Sequence, residues 1–287
     1  MRVQILVTGA RGRIGTAVVR RLLDAGHRVV SADLTDVTGE LPDEVVVDIR
    51  DITAVRSAVE GVEAVVHAGA IPGNRPGMAP EVDHINVLGT MNVLRAMSDN
   101  SVDLGVLFSS INAIGIVGGH DVPDRLPFTD DHPQRPRTGY QLGKQLGEFA
   151  AASFAREFGM RLTSLRPTFV STIEWYRRLL SDPLPEKWLP NELGGYVDRE
   201  DIVDAVVAGL EVTTPGHNAV LLSAPDTAFT RPTADLVREH LPQVPWVGTT
   251  LEEWVADEPR RALIDSAGAE AVLGVRPYRR WQELVAA

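Results

Sequence analysis

The chain reads as an α/β protein built on a doubly wound parallel sheet with a small C-terminal lobe. Three observations predict it. Short apolar runs alternate with amphipathic helical stretches from residue 3 to about residue 225. The first strand passes into its helix through a glycine turn. No internal repeat, low-complexity tract or long linker divides the chain into separate folding units.

Residues 3–7 form the first strand, Thr8 to Gly12 a tight turn, and Arg13 to Ala25 a helix closed by Gly26. Gly9, Gly12 and Gly15 are spaced G-x-x-G-x-x-G. Residues without a Cβ let the backbone approach a pyrophosphate, whose charge meets the N–H groups and positive dipole end of the helix. The second strand, His27–Ala32, delivers Asp33 18 residues after Gly15. A carboxylate there accepts both hydroxyls of an adenosine ribose and repels a 2′-phosphate, so the expected cofactor is NAD rather than NADP.

A third strand, Glu44–Val47, ends in Asp48-Ile49-Arg50-Asp51. An acid at this strand end either lies beside the adenine, with Asp48 and Ile49 as candidates, or caps the helix Ile52–Glu60, the reading preferred for Asp51. After the fourth strand, Ala64–His67, the small residues Ala68, Gly69 and Ala70 either let the chain pass under the cofactor or make a tight strand exit. The segment Ile71–Pro80, with three Pro, two Gly and Asn74, is a loop over the carboxyl edge of the sheet, where substrates meet cofactors, and Asn74 is a candidate substrate contact. A helix from Glu81 to Met97 follows. Inside it Asn86 interrupts the apolar face and, if buried, must hydrogen-bond a water or a backbone carbonyl.

The fifth strand, Asp103–Phe108, runs into Ser109 and Ser110, placed either to touch a substrate or to form a turn. A Gly- and Pro-rich excursion over 115–136 leads to a helix over 137–158 closed by Gly159. Tyr140 and Lys144 lie four apart on it and share a face. With four Tyr and two Lys among 287 residues, such a pairing is rare by chance. A phenol titrates near ~10 and is a poor base at neutral pH unless a positive charge favours the phenolate. An ammonium one turn away supplies that charge, hydrogen-bonds ribose hydroxyls and can pass a proton onward, which a guanidinium cannot. Of the 28 basic residues all but Lys144 and Lys187 are arginine, so a retained lysine marks a place where arginine does not serve.

A sixth strand, Arg161–Leu165, ends in Arg166-Pro167-Thr168. Val170–Leu180 reads as a helix carrying Trp175, Tyr176, Arg177 and Arg178, followed by a Pro-rich loop to Pro190. Arg177 or Arg178 either clamps an anionic group or is simply solvated. Asp198 and Asp201 are expected to open a helix to Val212 as N-cap acids, Ala219–Ser223 to form a last strand, and Trp246, Trp254 and Trp281 to anchor the core of the tail. The expected division is 1–166 and 197–225 for nucleotide binding, with 167–196 and 226–287 as substrate lobe.

Composition narrows the function. A net charge of −11, a pI near 5.1 and no basic tract disfavour a nucleic-acid partner. There is no cysteine, and the seven His show no metal-ligand spacing, so no metal is expected. The opening apolar run stops at Arg11, too short for a signal peptide or membrane helix, which makes the cytoplasm the expected address and no membrane the expected partner.

Taken together, TGARGRIG at 8–15, Asp33, DIRD at 48–51, HAGA at 67–70, NVLGT at 86–90, the serines at 109–110, YQLGK at 140–144, RPT at 166–168 and YVDREDIVDA at 196–205 resemble the extended short-chain dehydrogenase/reductases, the NAD-dependent epimerase/dehydratase family. The resemblance implies a Rossmann fold, with Tyr140 as catalytic acid/base, Lys144 as its electrostatic partner and ribose ligand, and Ser110 as the hydroxyl that polarises the reacting oxygen. It implies backbone N–H groups of Arg13 and Ile14 on the pyrophosphate, with Ala68, Gly69, Ala70, Asn86 and Pro167 also around the cofactor. It also implies a homodimer through helices 81–97 and 137–158. Ile114 and Phe169-Val170-Ser171 depart from the epimerase pattern, and Ile111-Asn112 stands where sugar dehydratases carry an acid. The compact lobe and SSINAIG look more similar to uronate dehydrogenases, with Arg177 the nearest counterpart of their carboxylate-binding arginine. Asn112 and Thr168 complete the candidate substrate contacts. The expected function is NAD-dependent hydride transfer at a carbinol of a sugar, sugar acid or small polyol; the alternatives are an epimerase, or a non-catalytic NAD-binding sensor of the same fold.

Overall fold

The computed structural model describes residues 3–34, 37–73, 77–116 and 121–286. Asn74 lies outside them. The chain forms two compact units: Met1–Ser109 with Thr138–Leu165 and Val203–Ala219, and Ser110–Arg137 with Arg166–Ile202 and Val220–Ala287. Compared with the expected division, segment 110–137 falls in the second unit, because Leu126 and Phe128 are bridged in the backbone to Trp246 and Ile264 of the tail.

The main sheet has the order β3-β2-β1-β4-β5-β6-β9, with β1 Gln4–Thr8, β2 Arg28–Asp33, β3 Glu44–Val46, β4 Ala64–His67, β5 Leu104–Phe108, β6 Arg161–Pro167 and β9 Gly216–Leu222. Pairings from β3 through β6 are parallel, with Ile5 opposite both Val29 and Ala64. The reversal of strand order between β1 and β4 opens a crevice at their carboxyl ends, where such folds bind ligands. The central strands are buried on both faces, hence their unbroken apolar runs. The core of the first unit is Leu6, Val65, Leu94, Met97, Phe154 and Leu162 with their neighbours.

Local signals set the helices of this unit. Helix α1, Arg13–Asp24, starts at Gly12 in extended conformation, and Gly26 follows its end at φ 84°. Helix α2, Ile52–Val59, is capped by Asp51, which accepts from the N–H groups of Thr53 and Ala54. Helix α5, Gly139–Phe158, begins in a capping box between Thr138 and Gln141 and ends at left-handed Gly159. The helix expected over 81–97 is three segments: α3 Ala79–Asp83, a wider π-helical turn His84–Gly89, and α4 Thr90–Asp99. Asn86 lies within the wide turn, and its side chain bonds the backbone of Ile71, donating to the carbonyl at 3.0 Å and accepting from the N–H at 2.8 Å.

In the second unit the structure corrects the helix expected from Val170. Phe169–Ser171 is strand β7, paired in parallel with β8, Tyr196–Asp198, and helix α6 runs only from Ile173 to Ser181. The aromatic Phe169 and β-branched Val170 favour the strand, and Thr172, the N-cap of α6, turns the chain into the helix. A short helix α7, Leu189–Glu192, interrupts the expected loop. Helix α8, Arg199–Gly209, stops short of Val212. Asp198 does serve its start, accepting from Glu200 N–H, but Asp201 does not: its carboxylate takes the Arg279 guanidinium at 2.6 Å. The tail folds into α9 Thr233–His240, α10 Leu251–Trp254, α11 Ala267–Leu273 and α12 Trp281–Ala286. Trp254 and Trp281 are buried as expected, whereas Trp246 is only partly so.

Candidate active site

At the carboxyl ends of β1, β2 and β4 lies a cleft of about 420 Å³. Gly9 and Gly12 line one wall, Asp33, Asp48 and Ile49 a second, and Ala68, Gly69 and Ala70 the floor. The turn needs its glycines first for its own packing. A Cβ on Gly9 would stand 2.7 Å from the Ala68 carbonyl carbon, and one on Gly15 only 2.0 Å from the Gly9 oxygen. Gly12, the N-cap of α1, lines the cleft and offers no capping side chain. In the first turn behind it the N–H groups of Arg13 and Ile14 have no acceptor within the helix. Asp33 is fixed at the rim, Oδ2 accepting from Arg11 N–H at 2.9 Å and Oδ1 from Leu34 N–H at 2.7 Å, which leaves each oxygen a further lone pair. Asp48 is turned onto Arg50, at 2.6 Å from its Nη2, and that contact holds its carboxyl below the usual range. An adenine amine would have to share it.

Behind the floor runs a chain of neutral hydrogen bonds that sequence reasoning missed. Gly69 N–H donates to Thr8 Oγ1, which lies 2.7 Å from His67 Nδ1; His67 Nε2 lies 3.0 Å from Thr90 Oγ1, which donates to the Asn86 carbonyl at 2.8 Å. Since the Thr90 proton is committed to Asn86, Nε2 carries the imidazole proton and Nδ1 accepts from Thr8. Burial first, then the Lys144 charge, drives the His67 pKa down to about 3, so the ring is neutral. The sequence shows each of these residues, but not that a histidine at the end of β4 joins the turn after β1 to α4.

Helix α5 carries both Tyr140 and Lys144, as their spacing predicted. Gly139, Gly143 and Gly147 form a stripe with no side chain. Asn86 and Thr90 pack on Gly143 and Gly147 at 3.5 Å from where a Cβ would be, so the helices approach closely. Tyr140, Lys144 and Glu148 are each one residue further on and are drawn inward. Lys144 Nζ donates to the Phe108 carbonyl at the end of β5 at 2.6 Å and lies 5.9 Å from the Tyr140 ring centroid. Burial of the ammonium lowers its pKa to about 8, against the opposing pull of Glu148. The Ser109 hydroxyl is committed within the protein, donating to Glu148 Oε1 at 2.5 Å. A Glu at i+4 from Lys144 was the signal that could have found this acid.

The other expected residues belong to the second unit. Ser110 is buried, and its Oγ accepts from Asn112 N–H at 3.1 Å, capping the turn Ile111–Ala113 and leaving its own proton to donate. The Asn112 amide is turned onto the same oxygen. Pro167 is buried, Thr168 donates to the Leu222 carbonyl at 3.1 Å, and Arg177 is exposed on α6.

The sequence profile of the NAD dependent epimerase/dehydratase family matches residues 5–172, more than half of the chain. The chain belongs to that family. By its description, the family's cofactor is NAD. An uncharacterised protein of Mycobacterium tuberculosis is 30% identical over 92% of this chain, which spans only 26% of that relative's length. Uronate dehydrogenase of Pseudomonas syringae pv. tomato is 28% identical over 76% of this chain and 73% of its own. In fold, the chain is similar to a short-chain dehydrogenase/reductase superfamily protein from Agrobacterium tumefaciens crystallised with NAD, with a TM-score of 0.73 at 24% identity over 99% of this chain and 95% of that one. Among the described residues no helix is long and apolar enough to cross a membrane.

Proposed function

We propose that this family member is an NAD-dependent oxidoreductase that moves a hydride between NAD and a carbinol of a sugar, sugar acid or related small polyol. The observation that carries the reading is the Tyr140–Lys144 pair, an ammonium seated on the Phe108 carbonyl beside a phenol on the same helix face. NAD, when bound, supplies the hydride acceptor. Gly9, Gly12, Arg13, Ile14 and Gly15 would hold its pyrophosphate, Asp33 its adenosine ribose, and Asp48 and Ile49 its adenine. Lys144 keeps Tyr140 available as phenolate, Tyr140 takes the carbinol proton, and Ser110 donates to the reacting oxygen. Asn112, Thr168, Arg177 and Asn74 are the proposed substrate contacts, Arg177 for a carboxylate. Similarity to a uronate dehydrogenase supports a sugar acid among the substrate classes.

The test is reduced-nicotinamide formation with NAD or NADP across free sugars, uronic acids and small polyols, with Tyr140→Phe as control. Signal with NAD on one group, lost in the variant, is the expected result. Silence across the panel from a protein that binds NAD would replace the reading with an epimerase, which returns its hydride and shows no net turnover. A homodimer belongs to the same reading. Leu142, Leu146 and Phe149 on α5, with Leu88 and Met91 on the neighbouring helical segments, are exposed apolar residues, and Phe149 is 73% exposed.

A further inference from the structure

The proposed chemistry leaves one buried acid without a task. Glu148 is 5% exposed, one helical turn beyond Lys144, and anchored by the Ser109 hydroxyl at 2.5 Å. With Lys144, His67, Thr90 and Ser164 it lines a polar cavity of about 20 Å³, room for about one water. Its titratable lining groups are Lys144 and Glu148 from helix α5 and His67, which is neutral, from strand β4. Tyr140 precedes Lys144 by one turn on the same helix, and His217 of strand β9 has Nε2 2.8 Å from the hydroxyl of the lining residue Ser164. Among the described lining residues, Glu148 is the acid. A carboxylate is costly to bury unless a hydrogen bond or an opposite charge compensates; here the Ser109 hydroxyl supplies the bond and Lys144 lines the same cavity.

We propose that Glu148, anchored by Ser109, is a positioning residue that keeps the positive charge on Lys144 under working conditions. The inference rests on reading Tyr140 and Lys144 as the acid–base pair. Burial alone drives Lys144 towards its neutral form, and Glu148 acts in the opposite direction. A neutral amine would still reach the Phe108 carbonyl, but it would no longer favour the phenolate of Tyr140. The serine bond matters because a carboxylate free to rotate away would act from further off. Ser109 and Ser110 thus divide the labour of two adjacent hydroxyls, one supporting the lysine and the other offered to substrate.

The composition makes the test direct. The chain has two lysines, so lysine side-chain carbon NMR gives two signals, and Lys187→Arg assigns the one from Lys144. Its titration is read without substrate or cofactor. Glu148→Gln keeps an acceptor for Ser109 and removes the charge, and the Lys144 midpoint should fall by about one pH unit or more. The alkaline limb of the rate profile should move down with it. An unchanged midpoint in a folded Glu148→Gln protein overturns the proposal. If that variant does not fold, Ser109→Ala decides, because it releases the carboxylate while leaving its charge: a lowered midpoint supports the proposal and an unchanged one overturns it. Because the titration needs no turnover, failure to find a substrate counts against the proposed function and not against this assignment.

Discussion

The two compact units bury polar groups in different ways. The first does so mostly with neutral partners: Thr8, His67, Thr90 and Asn86 form a run of hydrogen bonds between hydroxyl, imidazole and amide, and the charge is concentrated on Lys144 and Glu148. The second buries three aspartates. Asp198 accepts from Tyr176 at 3.2 Å, Asp226 from Tyr196 at 2.5 Å with Arg260 at 3.3 Å, and Asp201 takes Arg279. Tyr196 in turn accepts from the backbone of Trp281, which ties down the last helix. A neutral network fixes geometry while adding no charge of its own to that of Lys144 and Glu148. An ionic network couples its members so strongly that losing one leaves the others stranded, which suits it to holding chain segments in place. Polar burial in the second unit thus serves shape, and in the first it surrounds the pair proposed to act on substrate.

The sharpest way to break this contrast is Tyr140→Phe, expected to lower kcat by about 10²–10⁴-fold while the urea midpoint stays put. A variant that kept its rate would show that Tyr140 is not the acid–base group and that the first unit's charge serves no chemistry there. Next in size is Asp226→Ala, which strands Arg260 and Tyr196 and should cost about 3–5 kcal/mol in urea unfolding, with NAD affinity of the folded protein retained. Equal stability would mean that the second unit's ionic network is not what holds it.

Acid should separate the units by sign. His67 has a folded pKa of about 3 against an ordinary value near 6.5, so the unfolded chain binds more protons between these values and the first unit loses stability as pH falls through that window. Glu44, lowered to about 2 mainly by the Gly39 N–H, acts in the same direction below its ordinary 4.5. Burial raises Asp201 and Asp226, so their contribution weakens as pH rises from 3.8 through their folded values. Hydrogen exchange compared across pH 3–7 should show 64–67 losing protection in acid before 196–198, and the reverse order would contradict the assignment. The smallest effect belongs to Phe149→Glu. Its stability should change by no more than about 0.5 kcal/mol, while sedimentation should report a monomer if the proposed α5 face joins two copies.

What the sequence disclosed follows the range of the interactions. The Asp51 cap, the left-handed Gly159, strand β4 and the Tyr140–Lys144 face all rest on neighbours within a helical turn or on one strand, and each can be read from spacing. Asp201 meets Arg279 across 78 positions and Ser109 meets Glu148 across 39, so no local pattern carries them. The β7–β8 pairing was hidden for a related reason. Three residues of strand beside a helical stretch share its apolar periodicity, and only the distant partner decides between the two. At Asp48 even a short-range partner went unread: Arg50, two residues on, donates to the carboxylate that the sequence offered to an adenine.

The wide turn at His84–Gly89 has an evolutionary consequence. Each residue of a regular helix advances the chain by about 100° around its axis, and a π-helical turn accommodates one residue more than regular winding would. A single-codon deletion here would let the segment rewind as ordinary helix, swing Asn86 off Ile71 and rotate all of α4 relative to α3. Insertions and deletions usually accumulate in loops because loops forgive them. This stretch looks helical by composition but carries its extra residue as a fixed part of the design, so related chains should drift in length at the neighbouring loop and keep the count from Asn86 to Thr90 unchanged.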